Sequence, residues 1–176
     1  MIANAPFREQ SKIAWRGGQA ASASRFVAEE RAIALTYDGS TYAVMMATPA
    51  DLEDFGIGFT LTEGVAELAD EISSIELVDC DSGVDVRMWL DENRTRSLAA
   101  RRRLTIGPTG CGLCGIESLE QAGRAAPRVA SDKTFRAGDL LDAVRALPPL
   151  QRLYQTTRAV HAAAFWQAST GIGPVR

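Results

Sequence analysis

Two stretches of alternating apolar residues, each folded back by a turn and separated by one helical stretch, constrain this chain most. Ile33, Leu35 and Tyr37 alternate, Asp38-Gly39-Ser40 interrupts the run, and Tyr42, Val44 and Met46 alternate again. Asp-Gly supplies the positive-φ residues of a tight hairpin turn, so residues 31–46 read as a β-hairpin. Ile75, Leu77 and Val78 lead to a second turn, Asp81-Ser82-Gly83, after which Val84, Val86, Met88 and Leu90 alternate. Cys80, at the edge of that turn, is expected to be a small buried hydrophobe with no role.

Between the hairpins the spacing changes to that of a helix. Thr48 is placed to be its N-cap, Pro49 its first residue, with Asp51 in the first turn. Leu52, Phe55 and Phe59 recur at helical intervals, and Gly64 is placed to cap the C-terminus. Gly56 and Gly58 each weaken a helix by up to ~1 kcal/mol relative to Ala, which predicts another element packed closely on their face.

The flanks are less patterned. Residues 1–24 are small and polar, with Gly17-Gly18 and the run Ala20 to Ser24, and read as a mobile tail. Asp91 to Arg103 carries Arg94, Arg96, Arg101, Arg102 and Arg103. Such a run is either a solvated connector or an anion-attracting rim beside the segment that follows, and both readings stay open. A helix is expected from Ile116 through Leu119 and Ala122. Another is expected over Leu140, Leu141, Val144 and Leu147, started near Asp139 and stopped by Pro148-Pro149. His161 to Trp166 is apolar but too short for periodicity to separate strand from helix. The division that follows is a tail over 1–24, an α+β part over 25–108, and a last part over 109–176.

Composition excludes several classes. A formal charge of −3 gives no global pull toward nucleic acid or acidic membranes. No run approaches the roughly 18 to 20 apolar residues of a membrane span, and the first ten residues lack a secretory pattern. Three cysteines do not make a disulfide framework, so a reducing cytoplasm is the expected compartment.

The segment that carries chemistry is Thr109-Gly110-Cys111-Gly112-Leu113-Cys114-Gly115-Ile116-Glu117. Glycine opens backbone conformations closed to other residues and leaves the sulfurs uncovered. If the loop feeds a helix N-terminus, the backbone N–H groups there favour thiolate over thiol. A structural zinc site would need two further ligands, and only Cys80 and His161 remain, at scattered spacing. A thioredoxin-type motif would follow an early strand of a βαβ unit, which this order does not match. The residues alone stop at an exposed, reactive dithiol loop that handles sulfur or electrons.

Three blocks extend this reading: Met46-Ala-Thr-Pro-Ala-Asp-Leu52 with Gly56-Ile-Gly-Phe59 and Thr62-Glu63-Gly64, then Thr109 to Gly115, then Thr157-Arg-Ala-Val-His-Ala-Ala-Ala164. With these, the chain from about Ala32 onward resembles the formate dehydrogenase accessory sulfurtransferases, the FdhD/NarQ family. The resemblance implies a mixed α+β fold of the α/β type. Its core, incomplete here, would be cytidine-deaminase-like, preceded by the small hairpin-helix-hairpin part and lacking deaminase chemistry. It implies a carrier-type sulfurtransferase with Cys111 as the persulfide bearer and Cys114 as its partner. Sulfur would come from a cysteine desulfurase and go to the molybdenum bis-molybdopterin guanine dinucleotide cofactor of formate dehydrogenase, a bound substrate rather than a resident group. No permanently bound metal is expected.

By the same resemblance Gly110, Gly112, Gly115, Thr157, Arg158 and His161 are the candidate contacts to that nucleotide-bearing pterin, and His161 to Phe165 is expected to be a strand. Where many relatives carry a Gly-Gly step before the histidine, Arg158 and Ala159 stand here. Family members are expected to continue past Arg176 with blocks that complete the cofactor pocket. On that expectation this chain is truncated, its activity on its own is in doubt, and its fold is poorly stable or completed by a partner. A homodimer is left open, and neither nucleic acid nor a membrane is expected as a partner. Two other readings stand beside this one: a non-catalytic chaperone of the molybdenum cofactor, and a small redox or zinc-binding Cys-x-x-Cys module.

Overall fold

The computed structural model describes residues 5–92 and 128–176. These form two compact units, one containing residues 30–92 and the other residues 5–29 with 128–176. Both mix strands and helices, so the α+β class stands.

The first unit is the expected hairpin-helix-hairpin. Strand β3 (Arg31–Tyr37) pairs antiparallel with β4 (Ser40–Ala47), helix α1 (Leu52–Thr62) follows, and β5 (Ile72–Cys80) pairs antiparallel with β6 (Gly83–Leu90). Asp38 and Gly39 have φ of 48° and 75°, as a tight two-residue turn requires. The hairpins then join through their inner strands. β3 runs parallel to β6 from Ile33 opposite Val84 to Tyr37 opposite Met88, giving the sheet order β4-β3-β6-β5. Asp38 ties that junction, since its N–H donates to the Met88 carbonyl and its carboxylate accepts the Leu90 N–H.

One face of this sheet carries the core: Ile33, Leu35, Tyr37, Val84, Val86, Met88 and Leu90, closed by Leu52 and Val65 and flanked by Phe55 and Phe59. β4 departs from simple alternation. The register slips between Leu35, opposite Ala43, and Thr36, opposite Thr41, so Tyr42 is an extra residue in a bulge. The bulge lets Tyr42 and Ala43 both approach the core, Tyr42 edge-on to Tyr37 at 5.5 Å, while Val44 and Met46 face outward.

Helix α1 begins later than the sequence suggests. Asp51 has φ 51°, a left-handed conformation that cannot sit within a right-handed helix, and the Ala50 N–H closes a tight turn onto the Thr48 carbonyl. Thr48 is therefore not the N-cap, and Pro49 lies outside the helix. The other end is as expected. Gly64 at φ 65° donates to the Leu61 carbonyl while Val65 donates to Thr60, the paired bonds of a Schellman cap. A Cβ at Gly56 would meet Val86 at 2.8 Å, whereas one at Gly58 would meet nothing within 4 Å. The predicted close packing holds for the first glycine only.

Three further expectations are corrected. The segment read as a mobile tail forms, from Phe7 on, a hairpin of β1 (Phe7–Arg16) and β2 (Gln19–Ala28). Gly17 and Gly18, at φ 56° and 79°, are its turn rather than a flexible joint. This hairpin groups with residues 128–176, so the boundary near residue 25 is not a unit boundary. Cys80 is exposed, because it ends β5 at the open tip of its hairpin.

In the second unit, α2 (Ala137–Ala146) occupies the expected amphipathic stretch and gives way at Pro148–Leu150 to a 3-10 turn. Helix α3 (Arg152–Thr157) follows, and then a hairpin of β7 (Ala164–Gln167) and β8 (Gly171–Val175). The strand expected from His161 starts at Ala164, since the hairpin's last backbone pair joins Ala163 to Arg176. Among the described residues of this unit, only Thr157 is buried.

Candidate functional site

Cys111, Cys114, Gly110, Gly112 and Gly115 lie outside the described residues, as do the arginines from Arg94 to Arg103 and the helix expected from Ile116. The described part of the candidate site is the connector from α3 to β7, which carries Thr157, Arg158 and His161.

Each of the three has a different position. Thr157 closes α3 with 1% of its surface exposed. Its hydroxyl donates to the Leu153 carbonyl one turn back at 2.8 Å. Its own carbonyl accepts a 3.0 Å bond from the Arg25 guanidinium on β2, which anchors the helix end to the N-terminal hairpin. With its side chain committed inward, Thr157 supports the connector and presents no hydroxyl to solvent.

Arg158 follows in a left-handed conformation, φ 57° and ψ 28°. This stops α3 as a C-terminal glycine would, with the Arg158 N–H donating to the Tyr154 carbonyl at 2.8 Å. The guanidinium lies 5.3 Å from the centroid of the Tyr154 ring, a cation–π contact that orients it while the residue stays exposed. A left-handed arginine is unusual, because β-carbon crowding disfavours that region for residues other than Gly, Asn or Asp. It stands where a glycine would be unstrained, and the chain gains a fixed cation there. His161, three residues on, is exposed in the extended stretch before β7.

The structure thus brings two exposed groups able to face an anion, Arg158 and His161, onto one short connector over a buried threonine. Sequence reasoning missed two supports. Tyr154 was legible from its position four residues before Arg158. Arg25 carried no signal, being 132 residues from its acceptor in sequence.

The first motif block is structural wherever it is described. Its Asp51 makes the left-handed entry to α1, its Gly56 admits β6, and its Gly64 caps the helix. No helix among the described residues is long and apolar enough to cross a membrane.

The FdhD/NarQ family model matches residues 28–176. Three curated relatives are named sulfur carrier protein FdhD. The protein from Agrobacterium fabrum is 47% identical over 98% of this chain and 64% of its own length. Those from Cupriavidus necator and Bordetella petrii are 43% and 41% identical over 92% of this chain, and over 56% and 59% of their own lengths. The chain therefore spans about three fifths of these relatives. A crystal structure described as a formate dehydrogenase accessory protein from Desulfotalea psychrophila superposes with a TM-score of 0.67 at 20% identity, covering 97% of this chain and 61% of that one. That likeness shows the fold.

Proposed function

Because this chain belongs to the FdhD/NarQ family, we propose that it carries sulfur for formate dehydrogenase on the Cys111–Cys114 loop. Two observations support the reading: the family match over most of the chain, and a Cys-x-x-Cys pair set among three glycines within the matched region. The donor is a cysteine desulfurase. The Cys111 thiolate attacks the terminal sulfur of the donor's persulfide, that S–S bond breaks, and the donor cysteine leaves as thiolate. Cys111 then holds the sulfane sulfur as a persulfide.

The acceptor is the molybdenum bis-molybdopterin guanine dinucleotide cofactor, bound as substrate. Attack by the Cys114 thiolate on the inner Cys111 sulfur expels hydrosulfide to the acceptor and leaves a Cys111–Cys114 disulfide, which a cellular thiol must reduce before the next cycle. Arg158, with His161 beside it, serves as an anion contact for the nucleotide phosphates, Thr157 holds that connector in place, and Gly110, Gly112 and Gly115 let the cofactor approach the sulfurs.

Intact-mass analysis after incubation with desulfurase and cysteine tests this. An adduct of about 32 Da, one sulfur atom, that disappears in Cys111→Ser supports the carrier. Nucleotide binding with no adduct would favour a cofactor chaperone, and stoichiometric zinc a metal-binding module. Either result overturns the proposal.

A further inference from the structure

The peptide unit between Thr157 and Arg158 is held at both of its polar ends. Its carbonyl, on Thr157, accepts a 3.0 Å bond from the Arg25 Nη2 group on β2. Its N–H, on Arg158, donates to the Tyr154 carbonyl at 2.8 Å. The peptide group is planar, so holding both ends fixes ψ of Thr157 and φ of Arg158. Arg25 precedes residues 28–176, the stretch that matches the family, and is not among the contacts that the resemblance supplied.

What is fixed is a conformation that arginine does not favour. Arg158 sits at φ 57° and ψ 28°. Crowding at the β-carbon disfavours this region by about five- to thirtyfold for an ordinary L-residue. A hydrogen bond between neutral backbone groups shifts a local equilibrium by about two- to tenfold, and one from a charged donor by about ten- to a hundredfold. The Tyr154 bond alone leaves the left-handed state near balance at best. The Arg25 bond decides it.

The side chain follows the backbone. With Arg158 left-handed, its guanidinium lies 5.3 Å from the centroid of the Tyr154 ring one turn back, while the residue stays exposed. Return of φ to the negative range would swing the Cβ and carry the cation off the ring.

We infer that Arg25 is a positioning residue for Arg158: by pinning the Thr157 carbonyl it keeps Arg158 left-handed, and so keeps the cation where an anion can meet it. The N-terminal hairpin is thereby part of the scaffold of the candidate site. The inference deepens the phosphate-contact reading of the proposed function and rests on it for the effect on binding, while the backbone effect stands on the geometry alone.

Two readouts on the isotopically labelled full chain test it. The first is the strong intraresidue HN–Hα cross-peak that a positive φ gives Arg158. Arg25→Ala is expected to weaken that cross-peak, and Arg25→Lys, which keeps a charged donor, to retain most of it. The second is affinity for GDP. Arg25→Ala is expected to weaken it about three- to fivefold, as the share of molecules holding Arg158 left-handed falls. In an Arg158→Gly background the same change is expected to have no further effect. An Arg158 cross-peak unchanged in Arg25→Ala would overturn the inference. So would additive losses in the double variant, since Arg25 would then meet the nucleotide itself. Collapse of the β1 and β2 amide dispersion in both Arg25 variants would overturn it too, because Arg25 would then hold the hairpin rather than the connector. Failure of the parent chain to bind GDP would overturn the phosphate-contact reading, and the cross-peak would still decide the role of Arg25.

Discussion

Gly56 on α1 lies so close to Val86 on β6 that a Cβ added at position 56 would come within 2.8 Å of the Val86 Cγ1 atom. The same Cβ would stand 3.2 Å from the Met88 sulfur, so two buried side chains would have to move together. Gly56→Ala is expected to cost about 1–3 kcal/mol despite the gain in helix propensity. Gly58→Ala, facing open space two residues on, is expected to stabilise by about 0.5–1 kcal/mol. Paired denaturant melts measure the contrast. Equal effects of the two substitutions would mean that α1 does not sit on β6 as described.

Tyr37 gives a pH signature. Its ring is fully buried and its hydroxyl lies 2.8 Å from that of Thr60, whose own proton goes to the Gly56 carbonyl. Burial pushes the Tyr37 hydroxyl up from 10.0 to about 12, partly offset by the Thr60 hydrogen bond. The folded state therefore holds this proton more tightly than the unfolded state does. The contribution is fully present below the ordinary tyrosine value and is lost as pH rises from there through about 12. Unfolding free energy measured across that window should fall with pH, and Tyr37→Phe should flatten the slope while costing about 1 kcal/mol at neutral pH.

Arg158 separates fold from function. Its left-handed backbone would be relaxed by glycine, so Arg158→Gly is expected to leave the fold equal or more stable by up to about 1 kcal/mol. Under the proposed function the same change removes the cation and weakens guanine-nucleotide binding several-fold. Sulfur loading on Cys111 should be unchanged. Calorimetry and intact mass read the two halves independently.

Among the described residues the buried hydrophobic core lies in one unit, and stability should follow it. Leu35→Ala, at a site with no exposure, is expected to cost about 2–5 kcal/mol. Leu140→Glu or Val144→Glu on α2, at 44% and 68% exposure, should shift stability by no more than about 0.5 kcal/mol. Hydrogen exchange should show strong protection across β3 and β6 and weak protection across α2 and β7. Uniform protection across both units would contradict this distribution of buried surface.

Much of the first unit was legible because its signals are local. The Asp38-Gly39 turn, the alternation of Val84 to Leu90 and the Gly64 cap each act within a few residues, where turn chemistry and side-chain periodicity suffice. Errors came where a local signal had two meanings. Gly17-Gly18 suits a flexible joint or a tight turn, and the partner strand decides. Thr48-Pro49 suits a helix start, but the positive φ at Asp51 moves that start to Leu52. At the candidate site, the residue types of Arg158 and His161 were readable, but the inward commitment of Thr157 was not.

What the amino-acid order determines by itself is most of the first unit's elements and the presence of a glycine-flanked Cys-x-x-Cys pair, since period, turn chemistry and cysteine spacing belong to short windows of chain. What only tertiary structure decides is which elements meet. The parallel seam of β3 and β6, the bulge that turns Tyr42 inward, and the bond from Arg25 to Thr157 across 132 residues all depend on register and closure of long loops. Those contacts are fixed by the packing of complementary surfaces against the entropy of bringing distant segments together, a balance that no short window of sequence contains.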